Sequence, residues 1–403
     1  MIVSQYFWPE NFRINDLAVG LREKGYDITV LTGIPNYPGG RFFPGYGIFK
    51  KWTDDYHGIK VIRVPIIPRG KSGTTGLIFN YLSFTFCASV LAPFLCRGKF
   101  DLILFSLSPV AEGIPALVLK KIKSARVLFW VQDLWPESLS ATGLVRFSWV
   151  LSAVEKLIQY IYMSCDMILV QSRAFIPSIE RLTVNRGRIE YFPNSAESLY
   201  QPMKLEPNAP ERSKVPAGFR VMFAGNIGAS QDFPTILEAA EKLKGYTDIH
   251  WVIIGDGRMY PWVEAQVLER DLTKTVHLLG RHPAEAMPRY FSLADVLLVT
   301  LKKEPIFALT IPSKVQSYLA CAKPVIAALE GEGGRIIAEA GAGLACSAEN
   351  PAELADAVLT MYRLSETERR AMGLKGRSYF EEYFERTMLL DRLDSWIKEL
   401  RKG

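Results

Sequence analysis

The chain's 403 residues exceed what one ordinary hydrophobic core supports and point to two or three domains. A composition of 49% hydrophobic and 22% charged residues excludes a disordered chain, and five scattered cysteines without a CxxC pair or Cys/His cluster exclude a disulfide scaffold or zinc finger and fit a reducing cytoplasm. The formal charge of +6 sits in the first half, where residues 1–200 hold 22 Lys+Arg against 15 Asp+Glu; that favours a phosphorylated substrate or an anionic membrane surface as partner, with no nucleic acid expected.

The start, MIVSQYFWPEN, lacks a basic region and its apolar run breaks at once, so no cleavable signal peptide is expected. A helix-like run from Ile14 to Lys24 precedes the apolar strand Tyr26–Gly33, the Pro/Gly loop PNYPGGR and a strand Ile59–Ile66. Residues 76–96, GLIFNYLSFTFCASVLAPFLC, are uncharged over roughly the 20 residues that cross a bilayer. Asn80, Ser83, Thr85, Ser89 and Pro93 interrupt that stretch, and Arg97 and Lys99 follow it. A half-buried helix is therefore the first reading and shallow membrane insertion the second. A span comes third, because it would strand the flanking strands on opposite sides.

Strands Asp101–Ser106, Arg126–Gln132 and Met167–Ser172 come next, with a helix-like run from Val145 to Tyr162 between the last two. Around Pro193 the chain turns Pro-, Ser- and Asn-rich, which reads as a linker over 196–217 between a domain at 1–195 and another at 218–385. A second series of strands runs Phe219–Asn226, Ile249–Gly257, Thr275–Gly280, Ala294–Leu301 and Lys323–Leu329. The last segment, about 386–403, is an amphipathic helix expected to pack back near the first domain. Apolar strands alternating with helices predict α/β architecture: two Rossmann-like, doubly wound parallel sheets facing across a cleft at the carboxyl ends of their strands.

Several strand ends of the second series carry turns suited to a diphosphate. Gly225-Asn226-Ile227-Gly228 permits close backbone approach ahead of a helix, Gly255-Asp256-Gly257 precedes Arg258, and Arg281 and His282 follow another strand. In IPSKVQSYLACAKPVIA, Pro312 and Ser313 open a helix beside Lys314, where free N–H groups and the positive dipole end suit an anion. Each feature alone is equally an ordinary turn or a capped helix with a solvated lysine. Their coincidence on one sheet edge argues for a nucleotide diphosphate. No GxGxxG fingerprint with a following acid and no Walker lysine appears, which disfavours a dehydrogenase or a P-loop enzyme.

The order AGN turn, GDG, LGR, EAMPRYFSLADVLLVTL, PSK…YLACAKPVIA and EGEGGRII, with QYFWPEN, PNYP, QDLWPES and YFPNSAE in the first half, resembles retaining glycosyltransferase family 4 of GT-B fold, in particular a WbuB/WcaI-like branch. The resemblance covers nearly the whole chain. It implies a metal-independent transferase without cofactor that moves a sugar, N-acetyl-L-fucosamine from its UDP donor as first choice, to undecaprenyl-diphosphate-linked GlcNAc in O-antigen, capsule or related lipopolysaccharide synthesis. Such an enzyme works in the cytoplasm, peripherally attached to the inner face of a bacterial plasma membrane. The departures are specific: the family's Arg and Lys after the first strand of the donor domain read Asn226 and Gln231, and its two glutamates read Leu309 and Ser317. The lost glutamates leave a non-catalytic nucleotide-sugar-binding subunit as one alternative, and the shared fold leaves a UDP-sugar 2-epimerase as another.

The donor-binding candidates are accordingly Gly225, Asn226, Gln231, Gly255, Arg258, Arg281, Ser313, Lys314 and Ser317, with Lys314 stabilising the leaving diphosphate. Asp133 is the first candidate for orienting or deprotonating the acceptor hydroxyl, with Glu10 as a further catalytic carboxylate. Glu10, Asn11, Arg13, Asn36, Tyr37 and Glu137 are candidates for holding the acceptor. Asp133 as a turn cap and Glu10 as a first-turn acid are the plain structural alternatives.

Overall fold

The computed structural model describes every residue except 71–73, 107–108, 142–146, 184–187 and 403. The chain forms two compact units, one of residues 1–193 with 389–403 and one of residues 194–388.

The first unit is built on β1 (Ile2–Val3), β2 (Thr29–Gly33), β3 (Thr53–Tyr56), β4 (Ile59–Val64), β5 (Leu102–Ser106), β6 (Arg126–Val131), β7 (Met167–Val170) and β8 (Ile189–Tyr191). They lie in the order β3-β4-β2-β1-β5-β6-β7-β8. All pairs are parallel except β3–β4. The hairpin turns on His57 and Gly58, with φ of 52° and 75°, the left-handed pair a two-residue turn requires. Strand β3, TDDY, is a charged edge strand with no apolar pattern, which is why sequence periodicity passes over it.

The helices of this unit are α1 (Arg13–Glu23), α2 (Thr74–Leu95), α3 (Pro109–Lys123), α4 (Glu137–Ala141), α5 (Ser148–Ser164) and α6 (Ile176–Leu182). Of the expected run 145–162, Val145 and Arg146 lie outside the described residues. Val127, Leu128 and Phe129 on β6 are fully buried, as a parallel strand covered on both faces should be, and Phe105 stacks on Phe129 at 4.2 Å.

In the second unit β9 (Phe219–Ala224), β10 (Ile249–Ile254), β11 (Val276–Gly280), β12 (Val296–Thr300), β13 (Val325–Ala328) and β14 (Gly343–Cys346) form a sheet of order β11-β10-β9-β12-β13-β14. Every pair is parallel. Its helices are α7 (Phe233–Lys242), α8 (Tyr260–Glu269), α9 (Met287–Leu293), α10 (Pro305–Leu309), α11 (Ser313–Ala320), α12 (Glu332–Glu339), α13 (Pro351–Arg363) and α14 (Glu366–Tyr383). The stretch with linker composition groups with this unit and is packed: Leu205, Ala209 and Val215 are buried, and Arg289 grips the buried Glu211 through two bonds of 2.7 and 2.9 Å.

Helix α15 (Arg386–Lys402) follows, and from Leu389 it belongs to the first unit. There Tyr26 donates to Asp394 at 2.6 Å and Trp396 meets Phe192 edge-on. All five cysteines are free thiols.

Candidate active site

In the second unit the site is built from turns that interlock through glycine. A Cβ on Gly255, at φ 150°, would sit 1.8 Å from the Gly225 carbonyl oxygen, and one on Gly257 would sit 2.3 Å from that of Ile227. Side-chain-free turns let the ends of β9, β10 and β11 tie to one another: Gly225 N–H donates to Ile254 O, Ile227 N–H to Asp256 O and Gly255 N–H to Gly280 O, at 2.8–2.9 Å. The result is an edge made largely of backbone.

Lys314 lies across that edge. A Cβ on Gly225 would be 2.7 Å from its Cε, so the lysine occupies the space the glycine leaves. Its Nζ donates to Gln231 Oε1 at 2.7 Å and stands 3.6 Å from the centre of the Phe223 ring. Burial pushes the amine pKa down to about 7, and no carboxylate holds it up. The side chain as a whole is half-buried, with its amine turned in against the glycine turn. Gln231, where the family pattern has a lysine, instead anchors the lysine that comes from α11.

Pro312 is the N-cap and Ser313 the first helical residue, and no side chain caps α11. Helix α12 begins nearby without a side-chain cap, since a Cβ on Gly333 would touch Pro312 at 3.1 Å. Ser317 is buried and its hydroxyl donates to Ser313 O at 3.3 Å, inside its own helix. Asn226 is exposed at the turn. Arg258 and Arg281 are exposed, and neither is ion-paired among the described residues.

The corresponding edge of the first unit is made of side chains. Glu10 is buried and its Oε1 accepts from the backbone N–H groups of Asn36 and Tyr37 at 2.7 and 2.6 Å. Burial raises its carboxyl to about 7 against the pull of those two bonds. Its Oε1 therefore holds the PNYP loop. Asn36 is also buried; its Oδ1 accepts from Arg69 N–H at 3.0 Å, so it joins two loops instead of facing an acceptor. Tyr37 is 36% exposed, packs with Tyr6 and Phe12, and carries the Arg69 guanidinium over its ring at 5.5 Å.

Asn11 and Asp133 are exposed, and Arg13 is half-buried at the first turn of α1. Glu137, the first residue of α4, lies 3.6 Å from Arg181, a partner that gives it a structural occupation. Two residues that sequence reasoning missed complete this edge. Glu112 on α3, fully buried, accepts from Gln5 N–H at 2.8 Å and Ser106 N–H at 3.1 Å, and burial pushes its pKa well up. Asn80 on α2 accepts from Gln5 Nε2 and Tyr6 OH and donates to Ile67 O at 2.6 Å. Among the described residues no three His, Cys, Asp or Glu side chains gather as a metal-ligand set.

The chain matches two domain families, "Glycosyl transferase 4-like domain" over residues 11–195 and "Glycosyl transferases group 1" over residues 218–363. It is 27% identical over 309 residues to a probable glycosyltransferase, WbjE, of Pseudomonas aeruginosa, covering 74% of this chain and 75% of that one. Identity to the putative colanic acid biosynthesis glycosyl transferase WcaI of Escherichia coli is 23% over 323 residues, 76% of each chain. The solved structure of Anabaena HepE in complex with UDP superposes with a TM-score of 0.71 at 12% identity, over 99% of both chains. Two largely parallel α/β sheets, a glycine-built strand edge crossed by a lysine, and two glycosyltransferase domains spanning most of the sequence place the chain among the GT-B glycosyltransferases of family-4 type.

Proposed function

We propose that this glycosyltransferase moves a sugar from a UDP donor to a polyprenyl-diphosphate-linked acceptor at the cytoplasmic face of an anionic membrane, in the assembly of a surface polysaccharide. The observation that carries the donor half is the Lys314 amine, enclosed against Gly225 at the uncapped start of α11. Such an amine gains more from a diphosphate than a fully solvated one does, because part of its hydration is already lost. The relatives' names support a polysaccharide product, and the HepE complex supports UDP. The WbuB/WcaI-like motifs put N-acetyl-L-fucosamine first as donor sugar and GlcNAc first as acceptor sugar.

The reaction breaks the bond between C1 of the sugar and the diphosphate oxygen and forms one from C1 to the acceptor hydroxyl oxygen. The hydroxyl proton passes to the departing diphosphate, directly or by way of Asp133, and UDP leaves. With departure and attack on one face, the anomeric configuration is retained. Lys314 and the N–H groups of α11 meet the charge that develops on the diphosphate, so no metal is required. Glu10 acts by fixing the loop that bears Asn36 and Tyr37.

The test is a transfer assay with a GlcNAc-diphosphate-lipid and UDP-N-acetyl-L-fucosamine, UDP-GlcNAc or GDP-fucose, with and without EDTA. A lipid gaining one sugar from a UDP donor in EDTA, with C1 configuration kept by NMR, supports the whole reading. Nucleotide binding without product would favour the non-catalytic alternative, and EDTA inhibition reversed by a divalent cation would overturn metal independence.

A further inference from the structure

The helix α2 has two unlike faces. Asn80, Phe84, Ala88 and Ala92, four residues apart, are buried where the helix packs on α3 and β4. The opposite face carries Ile78, Phe79, Leu82, Phe86, Val90 and Phe94, all exposed, Phe86 by 69% and Phe94 by 73%. At 1.5 Å per residue this apolar row runs about 24 Å, far longer than the scattered apolar residues of an ordinary surface.

Charge brackets the row. Nothing from Thr74 to Cys96 is ionisable as an acid or a base of the usual surface kinds, whereas Arg97 and Lys99 follow the helix and are exposed. The neighbouring α3 ends with Lys121 and Lys123, next to Lys120, which is ion-paired with Asp166 at 2.8 Å. At the other end Gly76 lies so close to Arg69 that a Cβ would meet its carbonyl oxygen at 2.3 Å, which keeps that arginine at the first turn of α2.

We propose that the outer face of α2 is a lipid seat: it lies in the headgroup region of an anionic bilayer, the apolar row among the acyl chains and the cations at its two ends on lipid phosphates. This deepens the lipid-acceptor reading above and rests on it. An apolar row between cations matches an anionic interface in both respects, whereas a protein partner would have to supply both an apolar groove and acids at each end. The helix cannot cross the bilayer while its inner face is packed on α3 and its two ends enter β4 and β5 of one sheet.

The seat is also wired to the acceptor loops. Asn80, on the inner face, bonds to Gln5, Tyr6 and Ile67 O, and Ser83 Oγ accepts from Ile67 N–H at 2.9 Å. Lipid engagement thus fixes the height of Arg69 and Tyr37 relative to the phosphates of the membrane. Both residues sit at the end of the seat where a lipid-linked diphosphate would emerge.

The experiment is co-sedimentation of the full chain with vesicles of phosphatidylglycerol and phosphatidylethanolamine, using wild type, Phe86→Asp/Phe94→Asp and Arg97→Gln/Lys99→Gln. Affinity should fall by about tenfold or more in the double aspartate variant and by about tenfold in the double glutamine variant, the latter difference vanishing on neutral phosphatidylcholine. An unchanged circular dichroism spectrum and thermal unfolding midpoint show that each variant is folded. Wild type that ignores the vesicles, or an aspartate variant that binds them equally, overturns the seat. A wild-type dimer that the aspartate pair turns into a monomer does so too, by assigning the row to a second copy. Transfer to a water-soluble, short-chain acceptor separates the two readings: if it persists while vesicle binding proves wrong, only the seat fails, and if vesicle binding holds without transfer, only the transferase reading fails.

Discussion

The two units expose the carboxyl ends of parallel strands and finish them in opposite ways. In the second unit the edge is backbone, cleared by Gly225, Gly255 and Gly257 and crossed by one enclosed lysine. In the first unit it is side chain: Glu10, Asn36, Asn80 and Glu112 are buried and hold loops through hydrogen bonds. A backbone edge admits a ligand's charged group to close range and offers it N–H groups. A side-chain edge sacrifices that access and fixes long loops instead, which suits an acceptor held by shape.

The comparison is broken most severely by filling the glycine edge. Gly255→Ala places a methyl group 1.8 Å from the Gly225 oxygen at a positive φ. It should cost about 3 kcal/mol or more, read as a lowered unfolding midpoint in denaturant. An unchanged midpoint would mean that the turns are not locked to one another.

Next in size is Lys314→Ala, which leaves the fold but removes the cation. UDP affinity by calorimetry should fall about 100-fold, and the same loss should appear in turnover. Undiminished affinity would remove the lysine from the donor site.

Glu10 separates positioning from catalysis. Glu10→Ala orphans two buried N–H groups and should destabilise by about 2 kcal/mol and raise the acceptor KM, with UDP affinity intact. Glu10→Gln keeps an accepting oxygen and should retain most activity. A turnover loss of about 1,000-fold in the glutamine variant would restore the proton-transfer role.

The smallest effect is on pH. A lysine held near 7 is charged below that value and neutral above it, so UDP affinity should drop as pH rises from 6 to 8.5, by about tenfold per unit at most, with proton uptake on binding. For the ligand-free chain the sign runs the other way. The unfolded lysine keeps its proton up to about 10.5, so between about 7 and 10.5 the unfolded state binds more protons and stability rises with pH. Both slopes should flatten in Lys314→Met.

Much of the fold was legible because its signals are local. Strands expected at Phe219–Asn226 and Ile249–Gly257 end at Ala224 and Ile254, just where the glycine turns begin. Lys314 stood out for the same reason, having proline and serine beside it at a helix start. Illegible features depend on partners far away in sequence. Asn80 reads as a polar interruption of an apolar run, yet its bonds reach residues 74 and 75 positions away. Glu112 looks like an ordinary first-turn acid until it meets Gln5, 107 positions back. Glu10 was noticed for its residue type, but nothing local says that its carboxylate bonds the N–H groups of the PNYP loop.

The return of α15 carries a consequence for synthesis. The first unit needs Trp396 against Phe192 and Asp394 beside Tyr26, residues that leave the ribosome only after the whole second unit has been made. The unit begun first is completed last, and until then it waits with part of its own surface uncovered, the state in which a nascent chain most needs protection from aggregation.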